Sequence, residues 1–322
     1  MKITLIHNPS AGDDSQPSGK QIVALIRAAG HKVNYQSSKQ NRWKKALKKR
    51  CDLIAVAGGD GTVGKVARRL VGNRIPIAIL PVGTANNVAH SLGLTGRPLK
   101  QLVRGWESAR RINFDVGLAK GPWGSTYFIE GFGVGLFATT VARLQVQKEV
   151  DPPEEVGRKE EIKSVLHILK DQLHKHRPKK LKIRLDDQDL SGEYILVEAL
   201  NIRYVGPNLD LVPGADTNDG LLDVVLLSRR EEGKLRTYLT KSLTRSPATA
   251  KLPVRQGRHL QLKWDHFPVH IDDKAWPTGK DRKPAPKEID IKVDSHAVVF
   301  LTPRRTKRKP QTPGEVLHSQ SA

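Results

Sequence analysis

The chain of 322 residues contains a single cysteine, Cys51. No disulfide can form within it, which points to a reducing compartment and excludes a small disulfide-stapled scaffold. Cys51 stands just before an apolar run and reads as a small, half-buried residue. Aromatic residues are 5% of the sequence, too few to favour a platform on which nucleic-acid bases stack. No apolar run approaches the ~18 residues that cross a bilayer. The opening "MKITLIHNPSAG" is too briefly apolar for a signal peptide and reads as a first strand. We therefore expect a cytoplasmic protein, soluble or peripherally membrane-associated. There is no G-x-S-x-G and no H-E-x-x-H, so hydrolase chemistry has no support. His167, His174 and His176 share one predicted helical stretch, but no carboxylate completes a metal-ligand spacing.

Acids are scarce: 33 Asp and Glu stand against 55 Lys and Arg, a net charge of +22. That excess selects an anionic partner, whether nucleic acid, anionic lipid or a phosphorylated small molecule. The absence of zinc-finger, RRM and KH signatures speaks against nucleic acid.

The first part alternates strand and helix signals. "KITLIHN", "HKVNYQ", "DLIAVA" and "IPIAILP" read as strands. "PSGKQIVALIRAA", "KQNRWKKALKKR", "VGKVARRLV" and "GTANNVAHSLGL" read as helices or helix starts. Such alternation predicts a parallel sheet in an α/β domain, over residues 1–117. Ligands of such sheets bind at the carboxyl ends of the strands, where "NPSAG", "GGDGT" and "PVGTANN" fall. From residue 118 the apolar period drops to two, predicting a mostly antiparallel β-sandwich over 118–302 with helices near 156–176 and 231–243. Its last strand is free to return to the first domain. Residues 303–322 read as a basic, disordered tail.

The segment "LIAVAGGDGTVGKVARRL" (Leu53 to Leu70) satisfies two phosphate-loop spacings at once. As a P-loop, Gly59 to Lys65 lacks the hydroxyl after the lysine that ligates Mg²⁺; Val66 stands there. As a dinucleotide fingerprint it lacks the acid ~20 residues on, because no Asp or Glu occurs between Asp60 and Glu107. What remains is "GGDGT" after a buried strand. Its glycines let backbone N–H groups face phosphate oxygens at a helix start. Asp60 then either works on water, metal or an attacking hydroxyl, or caps a helix.

Taken with its partners, this string resembles the diacylglycerol kinase catalytic family, which includes bacterial lipid kinases and sphingosine kinases, with NAD kinases as distant kin. "NPSAG" (Asn8 to Gly12), "GGDGTV" (Gly58 to Val63), "PVGTANNVA" (Pro81 to Ala89) and "ADTNDGLLDVVLL" (Ala215 to Leu227) follow the family's order. The resemblance implies an α/β domain and a β-sandwich, with ATP in the cleft between them and its γ-phosphoryl group passed to a lipid hydroxyl. The implied nucleotide contacts are Asn8, Ser37 or Ser38, Gly58, Gly59, Asp60, Gly61, Thr62, Val63, Gly64, Thr84 and Asn86. A Mg²⁺ site would use the side chain of Asp219 with backbone oxygens of Asp216 and Leu221.

Two positions depart from the family. The acid of its G-T-x-N-D segment is Asn87. In "VHIDDKAWP" (Val269 to Pro277), aligned with its late D-G-E motif, the general-base Glu is Lys274 and the Gly is Asp273. A cation accepts a proton only if burial strongly lowers its pKa. Asp272 or Asp273 can replace the base, and on a strand only one of two neighbours faces the cleft. Asp60 can also serve, as in the NAD kinase branch. Three readings follow: an ATP-dependent lipid kinase, a nucleotide-binding relative without catalysis, or a kinase of a non-lipid acceptor. The basic segment Lys39 to Arg50, with "HKHRPKKLKIR" (His174 to Arg184) and "PRRTKRKP" (Pro303 to Pro310), suits an anionic membrane surface. A homodimer is compatible with the sequence.

Overall fold

The strands of the first part form where β-branched and aliphatic residues run unbroken between glycine and polar turns. They are β1 (Lys2–His7), β2 (Lys32–Ser37), β3 (Leu53–Gly58) and β4 (Ile77–Pro81). Each residue of β3 is buried, as a strand covered on both faces requires. These strands pair in parallel in the order β4-β3-β1-β2. Between them lie α1 (Gly19–Ala28), α2 (Trp43–Ala46) and α3 (Asp60–Ala67), followed by α4 (Asn87–Ser91) and α5 (Leu99–Arg104). Ser18 starts α1 with a capping box to Gln21. The computed structural model describes residues 1–150, 157–244, 250–277 and 288–304. The expected tail lies outside them beyond Arg304.

The second part contains β5 (Arg110–Gly121), β6 (Gly124–Phe128), β7 (Gly131–Gly135), α6 (Leu136–Val150) and α7 (Arg158–Lys175). The short strands β8 (Lys179–Leu181), β9 (Ile183–Leu185), β10 (Gln188–Asp189) and β11 (Gly192–Tyr194) follow, then β12 (Leu196–Leu200), β13 (Tyr204–Val205) and β14 (Leu209–Asp210). The chain continues through β15 (Leu222–Leu227), α8 (Glu232–Leu243), β16 (Val254–Gly257), β17 (His259–Lys263), β18 (Val269–Ile271), β19 (Lys274–Trp276) and β20 (Glu288–Thr302). Antiparallel pairing gives a second sheet in the order β16-β15-β12-β7-β18-β19. Phe128, Phe132, Val134, Leu260, Leu262 and Ile291 fill the sandwich. Leu166, Leu169 and Leu173 of α7, with Leu235 and Leu239 of α8, cover the other face of that sheet.

β20 joins the two halves. It pairs in parallel with β4 through Phe300 and Ile77, and antiparallel with β5 and β17. β5 itself runs through residue 118 without a break. The α/β domain and the antiparallel sandwich expected from the sequence are both present. Two helices differ. α3 starts inside the glycine loop, at Asp60, because Gly59 takes an extended backbone and its carbonyl accepts the first N–H groups. The basic helix expected over 39–50 shrinks to the single turn of α2: Arg42 provides no side-chain cap and the following cations repel one another. Its apolar seam is as expected, with Trp43, Ala46 and Leu47 buried and Lys44, Lys45, Lys48, Lys49 and Arg50 exposed.

Asp115, wholly buried on β5, pins the loop after β14. Its carboxylate accepts the N–H groups of Gly220 and His296, both at 2.7 Å. Asp115→Ala leaves both donors buried without a partner. It should cost about 2–4 kcal/mol in a urea titration; a loss below ~0.5 kcal/mol would show that the loop is held by other means.

Candidate active site

Four loops at the carboxyl ends of β1 to β4 meet at one edge of the first sheet. Asn8 lies after β1, its Oδ1 accepting the N–H of Ser10 at 3.3 Å. Ser38 follows β2 and donates its N–H to the His7 carbonyl at 2.7 Å, while Ser37 is buried. After β3, Gly58 and Gly59 lead into α3. After β4, Gly83 packs on Gly59 backbone to backbone: a methyl built on Gly59 would lie 3.1 Å from the Gly83 Cα. No side chain fits at that crossing, which explains a glycine in each loop.

Asp60 fastens the two loops. Its Oδ2 accepts the N–H of Asn87 and its Oδ1 that of Val88, both at 2.9 Å. The residue at the start of α3 therefore caps α4. Burial raises its pKa, and those two N–H groups oppose the rise. Thr62 and Val63 are buried, and both donate their N–H groups to the Gly59 carbonyl. Gly64 lies under the Arg68 guanidinium, and Gly61 faces Asp273. Asn86 adopts a left-handed backbone (φ 56°), and its amide closes onto both backbone groups of Gly83. Thr62, Val63 and Asn86 thus shape the loops from within. Of the loop residues, Asp60 and Thr84 line the cleft, and Gly59 and Gly61 are half-buried.

That cleft has a volume of about 290 Å³. Part of its lining is acidic: Asp60, Glu130, Asp272 and Asp273, the last of them exposed. Another part is apolar, with Phe137, Val141 and Leu144 of α6 and Ile162, Val165 and Leu169 of α7. Thr84 Oγ1 donates to Glu161 Oε2 at 2.8 Å, tying α7 to the loop after β4. Arg158 reaches from the start of α7 to the "NPSAG" loop, where a methyl on Gly12 would stand 3.2 Å from its Nη2. Its Nε and Nη2 are buried and have no hydrogen-bond partner among the described residues.

Sequence reasoning missed Glu130. It lies between β6 and β7, fully enclosed, and accepts from Asn87 Nδ2 at 3.0 Å. Burial pushes its pKa well above the ordinary value, and the carboxylates of Asp60, Asp272 and Asp273 push it further, against the pull of Asn87. The one available signal was an acid within the apolar run "YFIEGF". Arg68 and Arg158 carried no local signal at all.

The turn between β18 and β19 divides its three candidate residues. Asp272 takes a left-handed backbone, and its carboxylate accepts the N–H groups of Ile129 and Glu130, at 3.0 and 2.8 Å, and Arg68 Nη1 at 2.5 Å. Asp273 lines the cleft, its Oδ2 3.1 Å from where a methyl on Gly61 would be. Lys274, which the resemblance puts at the base position, is exposed on β19 and does not line the cleft. Asp216 and Asp219 lie on the loop that Asp115 pins, with Leu221 beyond it. Asp219 Oδ1 accepts the Leu221 N–H at 3.0 Å, and Asp216 Oδ1 that of Asn218. None of the three lines the cleft. Among the described residues, no three His, Cys, Asp or Glu side chains converge as a metal-binding group.

Comparison with known proteins identifies both parts of the chain. Residues 2–119 match the diacylglycerol kinase catalytic domain, and residues 155–279 match the YegS C-terminal NAD kinase beta sandwich-like domain. The chain belongs to the diacylglycerol kinase catalytic-domain family. It is 27% identical over 254 residues to a diacylglycerol kinase of Bacillus subtilis, covering 74% of this chain and 78% of that one. It is 28% identical over 269 residues to a Pectobacterium atrosepticum protein named "Probable lipid kinase YegS-like", covering 79% and 83%. Among solved structures, a diacylglycerol kinase from Bacillus anthracis superposes with a TM-score of 0.66 at 20% identity, covering 94% of this chain and 97% of that one. Yeast NADH kinase gives a TM-score of 0.50 at 10% identity over 96% and 84% of the two chains. At these identities the superpositions speak to fold alone, that of a NAD kinase-like α/β domain joined to an antiparallel sandwich. Within that family, the buried Glu130 beside Asn87 gives a pH signature.

A glutamate whose pKa is raised on folding stabilises the fold only at low pH. The advantage is full below its unfolded value, near 4.5, and is lost as pH rises through its raised folded value. Glu130→Gln removes that loss. Its melting temperature should exceed that of the wild type by a margin that grows as pH rises above about 4.5; a margin independent of pH would contradict the assignment.

Proposed function

We propose that the protein is an ATP-dependent lipid kinase, passing the γ-phosphoryl group of ATP to the hydroxyl of a diacylglycerol-like lipid. The observation that carries this reading is the cleft of two characters. It sets the carboxylates of Asp60, Glu130, Asp272 and Asp273 beside Thr84 of the loop after β4, and the rest of its lining, from α6 and α7, is largely aliphatic and aromatic. An amphiphilic alcohol matches both, whereas a polar acceptor leaves the α6–α7 walls without a partner.

The residues fit ATP. The loop backbone at Gly58, Gly59, Gly61 and Thr84 would face its phosphates, with Asn8 and Ser38 at the ends of β1 and β2. The unpartnered nitrogens of Arg158, enclosed beside the "NPSAG" loop, would donate to phosphate oxygens. In the transfer the lipid oxygen forms the new P–O bond, the bond to the β-phosphate oxygen breaks, and ADP leaves. The hydroxyl proton passes to the Asp273 carboxylate. Asp272 is unsuited to that task because Arg68 and two N–H groups hold its oxygens. Asp60 is occupied in the same way.

A divalent cation such as Mg²⁺ supplies charge neutralisation where acids crowd, and the loop after β14 has suitable donors. Burial raises the pKa of Asp219, and the charges of Asp216 and Asp115 add to the rise. The Asp219 carboxylate, with backbone oxygens of Asp216 and Leu221, offers the oxygen-only set such a cation prefers. Lying away from the cleft, a cation there would brace the loop. The exposed cations around α2, with Arg177, Lys179, Lys180 and Lys182, suit docking on an anionic leaflet, worth ~1 kcal/mol each near the surface.

Phosphate transfer from labelled ATP to lipids in mixed micelles tests the reading. Wild type should phosphorylate a diacylglycerol. Asp273→Asn should lower kcat by about 10²–10⁴-fold, the usual worth of a general base. Lys274→Ala should stay within about threefold of wild type. An inactive wild type that gains activity as Lys274→Glu would instead favour a nucleotide-binding relative without catalysis.

A further inference from the structure

Three neighbouring strands carry Glu198, Gly133 and His270 side by side in one row. Glu198 of β12 and His270 of β18 both stand opposite Gly133 of β7 in the register. A Cβ at residue 133 would overlap the Glu198 carboxyl. Only because glycine stands there does the carboxyl cross β7 and reach His270. The side chains are 0% and 3% exposed, and His270 lines the cleft.

Glu198 Oε2 is 2.8 Å from His270 Nε2, and His270 Nδ1 is 2.9 Å from the Asp272 carbonyl oxygen. A carbonyl oxygen only accepts, so Nδ1 carries a proton. A second proton lies between Nε2 and the carboxyl, since two bare acceptors at that distance repel. The pair therefore holds two protons and no net charge, whichever partner holds the second. The Asp272 peptide is gripped on all sides. Its carbonyl accepts from His270, its N–H donates to the Gly131 carbonyl at 2.8 Å, and its carboxylate is held by Arg68 and the Ile129–Glu130 backbone. Burying two ionisable groups in a sheet is costly and, for stability alone, an apolar pair serves as well.

We infer that Glu198 and His270 are positioning residues, which lock the Asp272 carbonyl so that the turn presents Asp273, and not Lys274, to the acceptor side of the cleft. This rests on the lipid-kinase reading for its consequence in turnover, but the hydrogen-bonding itself can be read without turnover.

The test uses the full chain, with diacylglycerol in mixed micelles and ATP. His270→Gln keeps a nitrogen at the place of Nε2 and loses the donor to Asp272. His270→Asn keeps a donor at the place of Nδ1 and loses Glu198. Misplacing a reacting group by about 1 Å costs about 10²-fold. His270→Gln should therefore lower kcat by about that factor with the KM for ATP unchanged, while His270→Asn loses less than about tenfold. Equal losses in the two variants, or wild-type kcat in His270→Gln, would overturn the inference. In parallel, ¹⁵N-histidine NMR of the wild type at neutral pH should show Nδ1 of His270 carrying a slowly exchanging proton. A ring protonated on Nε2 alone would overturn the inference even if no lipid is phosphorylated. No turnover by wild type, with the Nδ1 proton in place, would count against the lipid-kinase reading and leave the positioning role standing.

Discussion

The site depends on one carboxylate that belongs to two segments. Asp60 starts α3, yet both of its oxygens are taken by N–H groups at the start of α4. That pair of charge-assisted hydrogen bonds sets the loop after β3 against the loop after β4, close enough that Gly59 and Gly83 touch through their backbones. It also places a carboxyl group in the lining of the cleft, where burial raises its pKa. Its neighbours are arranged around it. Glu130, fully buried beside it, has its pKa driven well up and favours keeping its proton. Asn87 contributes an amide N–H to Glu130 and no further carboxylate. Asn87 and Glu130 are best understood together: an aspartate at 87 would set a second carboxyl against the buried glutamate, and the two could not both ionise there.

The two halves of the molecule share the work through a few long-range ties. Arg68 of α3 reaches the turn after β18, Glu161 of α7 reaches Thr84, and Arg158 reaches the "NPSAG" loop. β20 threads both halves into one sheet. The glycine loops thus come from the parallel sheet, while the sandwich and its helices supply the apolar walls of the cleft. A turn in which residue 273 faces the cleft and residue 274 faces solvent makes a lysine at 274 compatible with chemistry inside.

Much of this was legible in the sequence because it is locally encoded. The buried strands β1, β3 and β4 are unbroken aliphatic runs, and the glycine loops follow them directly. The alternating period after residue 118 announces the sandwich. What escaped was set by partners far along the chain. Glu130 and Asn87 are 43 residues apart, and Glu198 and His270 are 72 apart. No period or spacing links such pairs; only the packed sheet brings them together. The short span of α2 was missed for a local reason, since its apolar seam persists while the repelling cations and absent cap end the helix early. Asp60 was recognised as the informative residue, but which helix it caps follows from the crossing of two loops, and that crossing is tertiary.

The most direct measurement of the account is ATP affinity of Asp60→Ala by isothermal titration calorimetry, with circular dichroism as a check on folding. If Asp60 holds the two loops in register, the variant stays folded and binds ATP at least about tenfold more weakly than wild type, the equivalent of ~1.4 kcal/mol. A folded Asp60→Ala protein with wild-type affinity would contradict the claim that this carboxylate builds the nucleotide site.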